Sequence, residues 1–186
     1  MEKQATHKII DCPLIETDRL LLRLFEAADL ETAYKLFNDA EVQKYLSEKN
    51  RRTREGLKVL LNNSVKYWKT RGYAMLCVAD KTTDEMIGYC GFQCFDGTPD
   101  IEIVFGYRKE FWGQGIATEA ARACLRFGYE NLPFDKIYAA TVPENTASQK
   151  VLKKIRMKYD EKTVHYEMNL LLFSVTRNEF LSADFD

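Results

Sequence analysis

No apolar run in this chain approaches the length of a membrane span, and its opening stretch "MEKQATHKIIDC" has no hydrophobic region of the signal-peptide kind. A protein that stays in the cytoplasm, away from membranes, is the expectation. Surplus positive charge is lacking too. The 27 Lys and Arg against 28 Asp and Glu leave a formal charge of -1, whereas gripping a phosphate backbone needs a basic excess. Nucleic acid is therefore not an expected partner. The five cysteines (Cys12, Cys77, Cys90, Cys94 and Cys124) are odd in number, apolar in setting and without CxxC spacing. They indicate neither a disulfide framework nor a zinc site, and read as small buried hydrophobes. The two histidines, His7 and His165, have no partner at metal or triad spacing, so no metal is expected. Repeats and low-complexity segments are missing as well.

What remains is 186 residues, 46% hydrophobic and 30% charged, enough to bury a sizeable core in one domain spanning 1–186. "RLLLRLF" (19–25) reads as a strand, and the next stretch repeats Leu30, Ala33, Tyr34 and Phe37 at helical spacing. A second helix covers 53–70, with Thr53 ahead of Glu55 as a cap signal, an apolar stripe of Leu57, Leu60, Leu61, Val65 and Trp68, and a stop near Gly72. "YAMLCVAD", "EMIGYCGFQCF" and "DIEIVFGY" are strand-like and separated by the turn sequences "KTTD" and "DGTP". Connections so short exclude parallel crossovers and predict a β-meander. A helix over 116–129 lines up Ala117, Ala120, Ala121 and Cys124, a small-residue face that lets it lie close on a sheet. "KIYAATV" is a strand, "NTASQKVLKKI" a short helix, "HYEMNLLLFSVT" a long final strand and "SADFD" a frayed tail. The sum is an α/β fold around a mixed, mostly antiparallel sheet of about 6–7 strands flanked by about four helices.

The segment "EFWGQGIATEA" places Gly113 and Gly115 at the mouth of the 116–129 helix. Glycine is costly there unless the backbone needs its freedom. Either this is an ordinary tight turn, or the backbone is bare so that something can touch it. In the second case the unpaired first-turn amides and the positive end of the helix dipole suit a pyrophosphate without a lysine or a metal. No GKS or GKT is present, and the third glycine of a dinucleotide loop is replaced by Thr118.

These residues resemble the acetyl-CoA pyrophosphate loop of the GNAT superfamily of N-acetyltransferases. Its pattern is Gln or Arg, two residues, Gly, one residue, then Gly or Ala, and its places fall here on Trp112, Gly115 and Ala117. The Trp departs from that pattern but is typical of the branch of ribosomal-protein N-terminal (alanine or serine) acetyltransferases. "IEIVFGYRKEFWGQG" is similar to that branch's Glu-bearing strand and "VPENTASQKVLKKI" to its Asn-x-x-Ser helix. The resemblance covers a core of about 16–180, leaving 1–15 and 181–186 as extensions. It implies a cytoplasmic acyltransferase that takes acetyl-CoA as co-substrate and an amine as acceptor, with a homodimer left open. It also implies a splayed strand pair holding the pantetheine arm, with backbone at Phe105, Gly106 and Tyr107 along the arm and amides near Gly106 and Tyr107 polarising the acetyl oxygen. Trp112, Gly113, Gln114, Gly115, Ile116, Ala117 and Thr118 would hold the pyrophosphate, and Asn145 would touch the pantetheine side while capping its helix.

For the chemistry, Glu102 is the candidate general base, acting through water. A carboxylate among Ile101, Ile103 and Val104 is costly to bury without a task, although a solvated strand glutamate has the same pattern. In many family members a Tyr seven residues beyond the Asn serves as general acid; that place is Leu152 here, so Ser148, water or the low basicity of the thiolate must serve. The family's Gly-Phe at the end of this helix is replaced by Arg156 and Met157. An α-amine of pKa ~8 is about a fifth neutral at pH 7.4, whereas a lysine near ~10.4 is about a thousandth neutral. A water-linked carboxylate suits the first, so a protein N-terminal α-amine is the expected acceptor. A small amine (polyamine, amino acid or drug) and a non-catalytic acyl-CoA sensor are the alternatives. Tyr34, Phe37, Tyr45, Tyr67, Trp68 and Phe173 are aromatics that could line an acceptor cleft, with core packing the expectation for most of them.

Overall fold

The computed structural model describes residues 14–46 and 52–182; His7, Cys12 and most of the acidic tail fall outside them. The chain opens with β1 (Ile15–Glu16) and β2 (Leu20–Arg23), then α1 (Leu30–Asn38), the short α2 (Ala40–Gln43) and α3 (Arg54–Arg71). Local chemistry sets these boundaries. Asp39 accepts from the amides of Glu41 and Val42 to start α2, Thr53 accepts from Gly56 to start α3, and Gly72, at φ +77°, ends α3 in the left-handed region.

The meander follows as β3 (Met75–Asp80), β4 (Met86–Cys94) and β5 (Ile101–Tyr107). Then come α4 (Ile116–Asn131), β6 (Lys136–Thr141), α5 (Thr146–Lys154), β7 (Lys158–His165), β8 (Met168–Thr176) and α6 (Arg177–Leu181). The eight strands form one sheet in the order β1-β2-β3-β4-β5-β6-β8-β7, antiparallel at every junction except β5–β6.

The period-2 pattern sends alternate residues to two separate cores. On one face Leu76, Val78, Ile87, Cys90, Ile103 and Tyr107 meet α4; on the other Cys77, Ala79 and Tyr89 meet Phe37 of α1 and Leu57 and Leu61 of α3. Ala120, Ala121 and Cys124 are fully buried, and a Cβ at Gly128 would lie 2.7 Å from the Phe92 ring. The small-residue face of α4 therefore lets the helix rest directly on β4, as its alanines predict. Cys77, Cys90 and Cys124 are buried free thiols, and Cys94 is half-buried.

Two features differ from the sequence expectation. The final strand is not continuous: residues 165–176 are broken by a two-residue turn, with His165 paired to Met168 across it. Tyr166 and Glu167 both take positive φ, 52° and 60°, the backbone of a primed hairpin turn but without the Asn-Gly or Gly that normally marks one. The hairpin adds β7, and with β1, α2 and α6 it raises the described count to eight strands and six helices. Second, Arg156, standing in the family's glycine place, does what glycine would: it adopts φ +70° after α5, and the amide of Met157 closes the turn onto Leu152 C=O at 3.0 Å.

The β5–β6 junction is the weak point of the sheet. Its ladder contains one parallel pair, Glu102 with Tyr138, against seven pairs between β4 and β5. Beyond Glu102 the two strands diverge.

Candidate active site

A continuous cleft of about 1020 Å³ occupies that divergence and extends to the glycine turn. Among the residues expected from sequence, Glu102, Phe105, Gly106, Tyr107, Trp112, Gly113, Gly115, Ile116, Ala117, Thr118, Asn145 and Ser148 all line it. Gln114 does not: its side chain donates to Glu110 C=O at 2.6 Å and its carbonyl accepts from Arg19 Nη1 at 3.0 Å.

At one end, Gly113 and Gly115 sit at φ +75° and +80°. A Cβ on Gly113 would meet nothing within 4 Å, and one on Gly115 only the Arg19 guanidinium at 3.6 Å. Conformation, not crowding, demands glycine at both places, and the resulting turn faces open space. Gly115 is the N-cap of α4 and supplies no side-chain cap, so the first-turn amides keep their free donors and the helix dipole its exposed positive end. Two groups brace this turn. Arg19 bonds Glu119 through Nε at 2.7 Å and ties it to the Gln114 carbonyl, while the Trp112 indole N–H donates to Tyr107 C=O at 2.8 Å. Burial pushes Glu119 up, but bonds from Thr17 and Arg19 outweigh it and hold the carboxyl below its ordinary range. Glu119 thus stays ionised in the first turn of α4, where a negative charge is favoured.

At the other end lies Glu102, 3% exposed. The alternation of β5 turns its side chain away from the Ile101, Ile103 and Tyr107 core, onto the face of Val104. Gln93 Nε2 donates to Glu102 Oε1 at 2.9 Å, and the Tyr166 hydroxyl donates to the same oxygen. Among the described residues nothing bonds Oε2, which leaves one carboxylate oxygen for chemistry. Burial raises the Glu102 pKa above its ordinary value; the bonds from Tyr166 and Gln93 oppose that. The Tyr166 phenol is itself pushed up, by burial first and then by Glu102, so it remains a donor.

Tyr166, which lines the cleft and bonds Glu102, is the residue of the candidate site that sequence reading missed. It is delivered by the unpredicted β7–β8 hairpin, and it is clasped to the β4–β5 loop. Asp96 N–H donates to the Tyr166 hydroxyl at 2.7 Å, Tyr166 N–H donates to Asp96 Oδ2 at 3.2 Å, and His165 Nδ1 lies 2.9 Å from the same oxygen. His165 therefore does have a partner, a long-range one that spacing along the chain could not reveal. The His165 contact and then the Tyr166 amide hold Asp96 below the usual carboxylate range. Asp96, Tyr166 and Glu167 all carry positive φ. Strain is concentrated where Glu102 is held, as at sites that a surrounding structure must fix.

On the opposite wall, Asn145 caps α5 by accepting from Ser148 N at 3.0 Å, as expected. The Ser148 hydroxyl has no protein partner among the described residues. Leu152 is 1% exposed in the core, so its place offers no acid. Of the six aromatics, Phe37 and Tyr45 line the cleft, Trp68 and Phe173 are core, Tyr34 lies under the Arg54 guanidinium at 4.0 Å, and Tyr67 is exposed with the Arg71 guanidinium 4.4 Å from its ring centroid.

One cleft thus joins a bare glycine turn on a helix N-terminus, a diverging strand pair and a buried carboxylate. The model of the acetyltransferase (GNAT) domain matches residues 19–158. The chain belongs to the GNAT acetyltransferase family. It is an acetyl-CoA-dependent acyltransferase by that membership. YkkB of Bacillus subtilis, whose function is uncharacterised, is 37% identical over 150 residues, 78% of this chain and 85% of the relative. A GNAT acetyltransferase structure from Bacillus anthracis superposes with TM-score 0.77 at 25% identity, covering 90% of this chain and all of that one. The ribosomal-protein-S5-alanine acetyltransferase of Vibrio fischeri gives 0.75 at 21% identity, covering 90% and 98%. This GNAT chain thus shares its fold with the branch its motifs resemble.

Proposed function

We propose that this acetyltransferase acts on a singly charged, weakly basic primary amine, first of all a protein or peptide N-terminal α-amine, with Glu102 as general base. The observation that carries the reading is the state of Glu102: buried, fixed at Oε1 by Gln93 and Tyr166, and open at Oε2. Bound acetyl-CoA supplies the acetyl group as a thioester. The turn at Gly113 and Gly115 holds the pyrophosphate on free amides, and the unpaired edge of β5 from Phe105 to Tyr107 aligns the arm. Holding both reactants in one cleft supplies much of the rate, since alignment alone is worth up to about 7–11 kcal/mol in model reactions.

Glu102 Oε2, directly or through one water, receives the proton that the amine loses as its nitrogen bonds to the acetyl carbon. The carbon–sulfur bond breaks and the thiolate leaves. Ser148, with an unengaged hydroxyl on the opposite wall, and water are the donors near it. Burial makes Glu102 a better base than a solvated carboxylate, and an α-amine asks less of it than a lysine ammonium, whose deprotonation costs roughly 3 kcal/mol more. Beside Glu102 the cleft is lined by the carboxylates of Asp96 and Glu167, and elsewhere by Phe37, Val42, Leu46, Leu60 and Met75, which offer nothing to a second ammonium, and by the Arg52 guanidinium, which repels one.

The test is thiol release from acetyl-CoA with peptides whose N-termini are free or blocked, beside spermidine and free amines. Release that needs a free peptide α-amine is expected. Equal or faster release with spermidine, or with N-terminally blocked lysine peptides, sinks the α-amine reading, and no release from any acceptor leaves the protein an acyl-CoA sensor.

A further inference from the structure

Arg52 lines the acceptor part of the cleft, on the wall it shares with Phe37, Val42 and Leu60. Its Nε is buried without a hydrogen-bond partner, and among the described residues no carboxylate meets its guanidinium. What anchors the residue is backbone: its N–H donates to Asn38 Oδ1 at 3.3 Å, and its C=O accepts from Asn38 Nδ2 at 3.0 Å. The side chain is left for another purpose.

Three other shielded guanidinium groups of this protein are matched. Arg23 has Asp29 at 2.8 Å and Asp84 at 2.9 Å, Arg108 has Glu85 and Glu110, and Arg177 donates to the carbonyls of Tyr129 and Leu132. A guanidinium cannot shed its charge, and each buried donor left unmade costs about 1–3 kcal/mol. An arginine in an apolar wall of a substrate cleft is a fork of donors waiting for a planar pair of oxygens.

We infer that Arg52 binds a carboxylate of the acceptor, so that the substrate class is an α-amine bearing a nearby carboxylate. This rests on the α-amine reading above and narrows it. The carboxylate has two sources, the C-terminal group of a free amino acid or an acidic side chain close behind a peptide N-terminus. Val104, two residues beyond Glu102 on the same face of β5 and so roughly 7 Å further along, packs in the same cluster as Leu46 and Leu60. The base and the cation thus belong to one continuous wall. A fixed positive charge there also repels cationic acceptors.

Two matched pairs of acceptors test the inference through thiol release: alanine against alaninamide, and the peptide amides Ala-Glu-Tyr against Ala-Gln-Tyr. Wild type should favour the carboxylate member of at least one pair by about ten- to a hundredfold in kcat/KM, mostly through KM, and the pair that shows the preference names the source. Arg52→Gln should erase the preference within that pair, and Arg52→Lys should keep part of it. Both retain the backbone bonds to Asn38, and unchanged thermal unfolding checks the fold. Equal handling of both pairs by wild type, or a preference that survives Arg52→Gln, overturns the carboxylate inference alone. Absence of release from all of them, with CoA still bound in calorimetry, overturns the α-amine reading and this inference together.

Discussion

Glu102 carries opposite consequences for activity and for stability. Its folded pKa is raised by burial above the unfolded value, so between those two values the native state holds more protons than the unfolded chain. Stability then falls as pH rises through that window, and above it the buried carboxylate weakens the fold. Glu102→Gln should lower kcat/KM by about a hundredfold or more with CoA affinity nearly intact, and should raise Tm at pH 7. The gain in Tm should vanish below about pH 4.5, where both forms are neutral. A loss of Tm at pH 7, or full activity, removes Glu102 from the role of base. Tyr166→Phe probes the same group from its neighbour. The Tyr166 hydroxyl stabilises the ionised form of Glu102, so deleting it raises that pKa further. The acid limb of the pH–rate profile should move to higher pH, whereas an unmoved limb with a uniformly lower rate would make Tyr166 a packing residue only.

Among the elements, the glycine turn was readable because its need is local. Two glycines one residue apart at a helix mouth announce positive φ, and both adopt it. Gly115→Glu should abolish CoA binding in calorimetry, since it adds a side chain and a negative charge where free amides face a pyrophosphate; retained binding would remove the turn from the site. The meander, α3 with its Thr53 cap and the small-residue face of α4 were equally legible from period and turn chemistry. The β7–β8 hairpin was not, because Tyr166 and Glu167 hold a primed turn without its usual residues, a conformation that tertiary bonds to Asp96 impose. With it were lost Tyr166 and the pairing of His165 to Asp96, whose residues lie far apart in sequence. Glu102 was found from its pattern; its partners were not, since Gln93 is fixed only by the β4–β5 register. Arg156 illustrates the same limit. Left-handed backbone costs a non-glycine residue roughly 1–2 kcal/mol, so Arg156→Gly should raise stability to denaturant by about 1 kcal/mol. An unchanged or lower midpoint would mean that side-chain contacts of Arg156 repay the strain.

Across the whole molecule, the sheet is two well-knit parts meeting at one pair. β1 to β5 are joined by antiparallel ladders with a register shift at Val78/Ala79, and β6, β8 and β7 by others with a shift at Tyr159/Glu161, but β5 and β6 pair only at Glu102 and Tyr138. The cleft that would hold the co-substrate occupies the place where backbone pairing is missing, and α4, which packs on β4 and β5 and donates from the Tyr129 hydroxyl to Val175 C=O of β8, spans the seam. A ligand inserted there replaces absent ladder bonds and ties both parts together, whereas it finds no such site in the unfolded chain. At a hundred times its dissociation constant it should therefore stabilise the native state by about 2.7 kcal/mol, a rise in Tm of roughly 5–10 °C for a chain of this size. Amide exchange should slow at 103–107 on β5 and at 113–118 around the glycine turn, and much less in α6, none of whose residues lines the cleft. Calorimetric scanning and exchange measured with and without CoA decide it. A Tm that does not move, or protection confined to α6, would place the ligand elsewhere and leave the seam without a purpose.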